Sequence, residues 1–193
     1  MRTSRRHVVR PIAFAAVLLG VATVFAVPLA AQTSPYTPYQ HKALYLYNFA
    51  KYTEWPKEAF ADDNAPFVLG ILGTKDPFGK DIEIIKDKQV KGRKLVVRKF
   101  ADVKEVTGCQ LLFICSSETN HLAEILKALE GSSVLTIAEA DGFIQQSGMI
   151  NLLTEQKSAG AQVVNFEINL IAAGRANLKL DTQLLKLAKQ VKS

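Results

Sequence analysis

The sequence predicts an α/β fold: one domain on a mixed, mostly parallel sheet, with an antiparallel C-terminal hairpin and helices on both faces. Three observations carry this expectation. Up to residue 142 short strands and short helices alternate, which argues for parallel pairing through right-handed crossovers. After Gly142 two strands follow each other across a polar loop, which argues for antiparallel pairing. The length suits one domain with a full core, because removing a 31-residue leader from 193 residues leaves 162.

That leader is residues 1–31. Arg2, Arg5, Arg6 and Arg10, with no acid among them, precede an apolar run from Ile12 to Val27. Pro28-Leu29-Ala30-Ala31 then supplies the small residues that suit signal peptidase, with cleavage after Ala31. The apolar run is shorter than the ~20 residues a spanning helix needs, so a cleaved export signal is expected rather than an anchor. Ser4-Arg5-Arg6 resembles a twin-arginine signal, but adjacent arginines also occur in ordinary leaders, and the Sec route is favoured. An exported domain works without ATP, NAD(P)H or reducing glutathione at hand, so no cofactor is expected.

Residues 32–40 read as a Pro-punctuated tether, and residues 41–193 as the domain. A helix is expected over residues 41–55, stopped by Pro56 and apolar on most faces, hence buried. Phe67–Leu72 reads as a strand. Asp76 and Pro77 read as N-cap and first residue of a helix reaching residue 86. Strands follow at residues 95–100 and 110–115. An amphipathic helix runs from Ser116 to Gly131, with Leu122, Ile125, Leu126 and Leu129 on its stripe. A fourth strand covers residues 134–138. The hairpin joins residues 149–153 to residues 163–170. In its second strand Val164, Phe166, Ile168 and Leu170 alternate with Asn165, Glu167 and Asn169, which predicts one dry and one polar face. Helical turns from Ile171 and a last helix over residues 181–191 close the chain. Its stripe is Leu184, Leu187, Ala188 and Val191.

Charge excludes one class of function. Four of the 24 basic residues lie in the leader, leaving 20 against 18 acidic ones, a balance of +2 and no footprint for nucleic acid. Only residues 86–104 are locally basic, with eight Lys and Arg facing Asp87 and Asp102. They read either as a solvated strand edge guarded by lysines or as a docking face for an acidic partner or an anionic membrane. Cys109 and Cys115 flank a strand, and six residues of strand span ~20 Å, beyond the ~7 Å Cα separation of a disulfide. No disulfide within the chain is therefore expected. Cys115 reads as core, and Cys109 as buried, or as a free or intermolecular thiol.

Reactive chemistry is sparse. His41 and His121 stand near no second metal ligand at a usable spacing, and HExxH, CxxC and GxSxG are absent, so neither a metal site nor a catalytic residue is proposed. Gly70-Ile71-Leu72-Gly73 lacks both nucleotide-loop patterns. Three features could bind. Tyr45, Phe49 and Tyr52 follow helical spacing and read as core, while Tyr47 and Trp55 fall off that stripe and could anchor a partner. Thr74, Asp76, Ser116, Ser117, Glu139 and Asp141 lie in loops after strands, where open parallel sheets hold ligands. Asn151, Asn165, Glu167 and Asn169 form the polar hairpin face, a candidate partner surface.

Several segments then point one way. They are Tyr45-Leu46-Tyr47-Asn48-Phe49-Ala50-Lys51-Tyr52-Thr53-Glu54-Trp55-Pro56, Val68-Leu69-Gly70-Ile71-Leu72-Gly73, Asp76-Pro77-Phe78-Gly79, Gly148-Met149-Ile150-Asn151-Leu152, Val164-Asn165-Phe166-Glu167-Ile168-Asn169 and Leu184-Leu185-Lys186-Leu187-Ala188. In this order they resemble the YfiR-like family of exported bacterial proteins, over nearly the whole chain after the leader. The resemblance implies a periplasmic α/β domain without enzymatic activity. It implies restraint of a membrane-bound sensor protein, a diguanylate cyclase or a kinase, through its periplasmic part. Lower cyclic di-GMP output and less biofilm would follow. An outer-membrane lipoprotein that sequesters the repressor is an implied second partner, and a homodimer stays open. Redox-sensitive members carry a disulfide from the strand of Cys109 to a cysteine in the first strand. Here residues 67–72 and 142–153 hold no cysteine, so that bridge does not carry over. The competing reading is a periplasmic small-molecule binding module that uses the carboxyl-end loops.

Overall fold

Unbroken apolar runs need cover on two sides, and this chain supplies it from a helix ahead of the sheet and a helix between two of its strands. The structure, a computed structural model, describes residues 35–157 and 162–193. The leader, the first residues of the tether and part of the 155–160 loop lie outside the described residues. In chain order the elements are α1 (Pro38–Lys51), β1 (Thr53–Glu54), β2 (Phe67–Leu72), β3 (Gln89–Val90), β4 (Arg93–Phe100), β5 (Leu111–Ile114), α2 (Leu122–Ala128), β6 (Leu135–Ala138), β7 (Ile150–Gln156), β8 (Gln162–Asn169), α3 (Leu170–Arg175), β9 (Lys179–Leu180), α4 (Thr182–Leu187) and β10 (Gln190–Lys192).

Eight strands form one sheet in the order β10-β8-β7-β6-β5-β2-β4-β3. The central pairs β4/β2, β2/β5, β5/β6 and β6/β7 are parallel, and β7/β8 is the antiparallel hairpin. Every residue of β2, β5 and β6 is buried. Leu69, Ile71, Leu111, Phe113, Leu135 and Ile137 pack with Ala43, Leu46, Phe49 and Ala50 of α1. The alternate residues Val68, Leu72, Leu112, Ile114 and Ala138 pack with Leu122 and Ile125 of α2. Helices therefore cover both faces, as the alternating pattern predicts.

The ends of elements depart from expectation. The first helix begins at Pro38, inside the expected tether, because Thr37 and Gln40 form a capping box. Thr37 Oγ1 accepts from Gln40 N and Gln40 Oε1 accepts from Thr37 N, both at 3.1 Å. It stops at Lys51, short of residue 55, because Thr53 and Glu54 pair antiparallel with Leu180 and Lys179. Asp76 does cap, with Oδ1 accepting from Phe78 N at 2.8 Å, but only a 3₁₀ turn follows at Asp81–Ile85. Ile82 and Ile85 are its buried residues, and spacing of three suits a 3₁₀ turn. The helix after Cys115 likewise opens as a 3₁₀ turn, Ser116–His121, before α2.

The last helix is also shorter than expected. α4 ends at Leu187, and residues 190–192 become an edge strand parallel to β8, with Val191 beside Ile168. Leu187 is therefore 72% exposed rather than part of a buried stripe. β3 and β4 form a hairpin closed by Lys91 (φ 50°) and Gly92 (φ 82°), a two-residue turn with both positions left-handed.

Gly70 in β2 faces a crowded wall. A Cβ there would lie 2.7 Å from Leu112 Cδ1, 2.8 Å from Phe100 Cε2 and 2.9 Å from Cys109 Sγ. Gly70→Ala should destabilise by about 1–3 kcal/mol through overpacking, although alanine is no worse a strand residue. A urea midpoint equal to wild type would remove this account.

Candidate functional site

The carboxyl ends of the parallel strands gather most of the chain's interior charge. Lys42 of α1 is 3% exposed, with Nζ 2.7 Å from both carboxylate oxygens of Glu139, the residue after β6. Thr154 Oγ1 of β7 donates to Glu139 Oε1 at 2.6 Å, and Lys42 Nζ stands 4.4 Å from the Tyr39 ring centroid. Burial above all, then the negative charge of Glu139, raises the Tyr39 hydroxyl above its usual range. The site neutralises its own buried ammonium, so α1, β6 and β7 are tied together without leaving a charge unmatched.

A second group lies beyond β2 and β5. Asp76 Oδ2 is 2.6 Å from Lys99 Nζ of β4, while its other oxygen holds Phe78 N. Ser117 Oγ donates to Glu118 Oε1 at 2.8 Å, and Glu118 Oε2 is 3.7 Å from His121 Nδ1. Of the six loop residues singled out in the sequence, Asp76, Ser117 and Glu139 are thus engaged with neighbours. Thr74, Ser116 and Asp141 are exposed.

A hollow of about 180 Å³ lies beside this second group, lined by Leu72, Asp102, Glu118 and His121, and two others lie away from the carboxyl ends. One of about 550 Å³ is lined by Trp55, Phe60, Phe67 and Val90 together with Lys57 and Arg93. Arg93 lies 4.0 Å over the Phe60 ring, and its Nη1 donates to Ala65 O (2.6 Å) and Asp62 O (3.0 Å). That guanidinium pins the loop leading into β2. A smaller hollow, about 270 Å³, opens between α2 and α3 beside Thr136, Gln146 and Arg175.

The candidate partner residues divide between surface and interior. Trp55 is half-buried, donates from Nε1 to Gln110 O at 3.1 Å and meets Phe67 edge-on at 5.0 Å. Tyr47 is half-buried, and its hydroxyl donates to Gln89 O at 3.1 Å. Lys88 and Lys51 stand 5.3 and 5.6 Å from its ring. Asn165 and Glu167 are half-exposed on β8. Asn151 and Asn169 are each 3% exposed, which corrects the expectation of a uniformly polar hairpin face. Asn151 Oδ1 accepts from Ala140 N, and Asn169 caps α3 through Ala172 N while its Nδ2 donates to Ile144 O. Sequence reasoning missed Lys42, whose partner is 97 residues away, and Gln110. The Gln110 side chain accepts from Val68 N and donates to Ala59 O. For Asn169 the signal existed, since it directly precedes the helical turns near Ile171.

Residues 39–189 match the model of the YfiR/HmsC-like family. The chain belongs to this family. Its fold is similar to the crystal structure of a conserved domain protein from Vibrio cholerae O1 biovar El Tor str. N16961, with a TM-score of 0.51 at 12% identity. The likeness covers 81% of this chain and 60% of that one, and it concerns the fold alone. No curated protein matches the chain. Membership in the YfiR/HmsC-like family supports a regulatory role in general.

In this YfiR/HmsC-like chain both cysteines are free and buried. They lie on opposite faces of the sheet, Cys115 with the α1 cluster and Cys109 with the α2 cluster. Cys109 Sγ donates to Leu111 O at 3.1 Å. Burial pushes both thiols up to about 12; the charges of Asp76 and Glu118 add to the effect at Cys115. The residue of β2 facing Cys109 is Gly70.

Two outcomes follow. Neither thiol should react with a maleimide at pH 7.5 in the native protein, and both should after unfolding. Unfolded cysteines ionise near pH 9 while the folded ones hold their protons, so folding stability should fall as pH rises from about 9 toward 12. Rapid native labelling would contradict this burial. Separately, Glu139→Ala strands the Lys42 ammonium inside and should cost about 3 kcal/mol. Lys42→Met combined with Glu139→Ala should recover much of that loss in chemical denaturation.

Proposed function

We propose that this protein is exported to the periplasm and restrains a membrane-bound signalling protein by binding its periplasmic part, without catalysing a reaction. The partner we favour is a diguanylate cyclase, so that the protein lowers cyclic di-GMP output and biofilm formation. The observation that carries the reading is the family match over residues 39–189, which covers α1 from its second residue, α2 to α4 and every strand of the eight-stranded sheet except β10.

The chemistry of the interior supports the non-enzymatic part of the reading. The buried ammonium of Lys42 is held by Glu139, Asp76 is held by Lys99, and both thiols stay protonated at neutral pH. A nucleophile needs a nearby base and room for substrate. These groups are used instead to hold strands and helices together. An outer-membrane lipoprotein that sequesters the protein, and a homodimer, are further partners consistent with the reading.

The test uses the full chain, tagged at its C-terminus and expressed in its own host. Crosslinking should recover an inner-membrane sensor protein from the membrane fraction, and deletion of the protein should raise cyclic di-GMP. Unchanged cyclic di-GMP with no membrane protein recovered would end this reading. Trp55→Ala separates two roles for the aromatic hollow. Its contacts to Phe67 and Gln110 predict a stability loss of about 3 kcal/mol, the low end for a large aromatic side chain. A fully stable Trp55→Ala protein that no longer binds the sensor would instead make Trp55 the anchor.

A further inference from the structure

The sheet has an edge that its own strands leave partly open. β3 covers only the start of β4, with Gln89 opposite Lys94 and Val90 opposite Arg93. From Leu95 to Phe100 the described strand paired with β4 is β2, on its other side. Backbone groups in a strand alternate between the two sides. Phe100 O accepts from Gly73 N at 3.0 Å, so residues 96, 98 and 100 turn their N–H and C=O groups toward β2. Leu95 N donates to Lys88 O at 3.0 Å, so residues 95, 97 and 99 turn theirs outward. Farther along, Ala101 N is taken by Glu105 Oε2 at 3.2 Å. Between these two closures stand Val97 and Lys99, whose amides and carbonyls have no strand opposite among the described residues.

The chemistry of this window selects its occupant. Lys94, Arg98 and Lys99 are exposed along β4, and Lys88 and Lys91 stand at its start. A second copy pairing edge to edge would bring Arg98 against the same residue of its mate, while Lys99 beside it is already paired with Asp76. Like charges opposed across strands are destabilising. An extended segment bearing carboxylates meets the same edge with opposite charge, while its backbone fills the open hydrogen bonds. We propose that the edge of β4 at Val97–Lys99 binds an acidic, extended segment of a protein partner as an added strand. The proposal rests on the reading that this protein acts by binding another protein, and it names the place and the chemistry.

The probe is a fluorescein-labelled peptide, Thr-Glu-Val-Glu-Val-Glu-Thr, with two controls: glutamates replaced by lysines, and the central amides N-methylated. Val97→Pro removes the outward amide at an edge position, where proline is tolerated, and Arg98→Glu reverses the charge. The wild-type chain should bind the acidic peptide, more weakly as salt rises. Val97→Pro, Arg98→Glu, the lysine peptide and the N-methylated peptide should each lose at least tenfold in affinity. Equal binding of the N-methylated peptide by the wild-type protein would overturn the proposal, whatever the fate of the proline variant's fold. Binding to phosphatidylglycerol vesicles with no binding to the peptide would overturn it in favour of a membrane surface. In the crosslinking experiment, equal recovery of the membrane protein by wild type and a folded Val97→Pro variant overturns the edge and leaves the partner. Recovery by neither overturns both.

Discussion

Three adjacent strands, β2, β5 and β6, are buried on both faces, and most of the structure answers to that constraint. A strand with no solvent side has to find cover above and below, and the cover comes from distant parts of the chain. α1 precedes the sheet in sequence and lies on one face, with Phe49 and Tyr45 stacked edge-on or tilted around Phe166 at 5.0–5.9 Å. α2 follows β5 and lies on the other. Burial also limits composition, since β2 can pass beneath Phe100, Leu112 and Cys109 only where residue 70 has no side chain. Gln110 shows the same pressure in polar form. At 2% exposure its amide must be used internally, and it joins the start of β2 to the 57–59 turn.

An apolar helix on an apolar sheet face could slide or rotate at little expense, because hydrophobic contact is non-directional. The polar ties of α1 restrict that freedom. Lys42 is fixed to Glu139 at one end of the helix. The Tyr45 hydroxyl donates to Val164 O at 3.0 Å in the middle, and Trp55 reaches Gln110 O just past the other end. Each tie meets a different strand or strand end, so together they define one register. The aromatic run is therefore mostly a device for seating this helix, with Tyr47 on its margin under two lysines.

Strands whose apolar residues run without interruption were legible residue by residue, as at Phe67–Leu72, because local composition alone demands double burial. Parallel order and the antiparallel hairpin were legible from connection lengths. What escaped depends on partners far away in sequence. Thr53–Glu54 becomes a strand only because residues 179–180 lie beside it, and residues 190–192 leave the helical pattern only because β8 offers an edge. The capping box was readable but masked by prolines that resemble a linker. At the site, Asp76 and Glu139 were visible as chemistry, yet their partners Lys99 and Lys42 are set by topology. Asn151 and Asn169 looked like solvent-facing members of a polar alternation. In fact the alternation ends where the hairpin dives beneath the 140–144 loop.

The two outer edges of the sheet illustrate different answers to one problem. At one end β10 is short, and Lys189 bridges to Glu155 of β7 across the intervening β8, so little backbone is offered. At the other end β3 shields two residues of an eight-residue strand, and the remainder is defended by charge of a single sign. Length excludes every strand alike, whereas charge excludes only strands of like charge. A basic edge of this kind disfavours a second copy, which carries the same charge, and favours an acidic segment. In a domain whose interior carboxylates and ammonium groups are already matched to one another, that selectivity resides in the backbone of Val97 and Lys99 and the side chains around them.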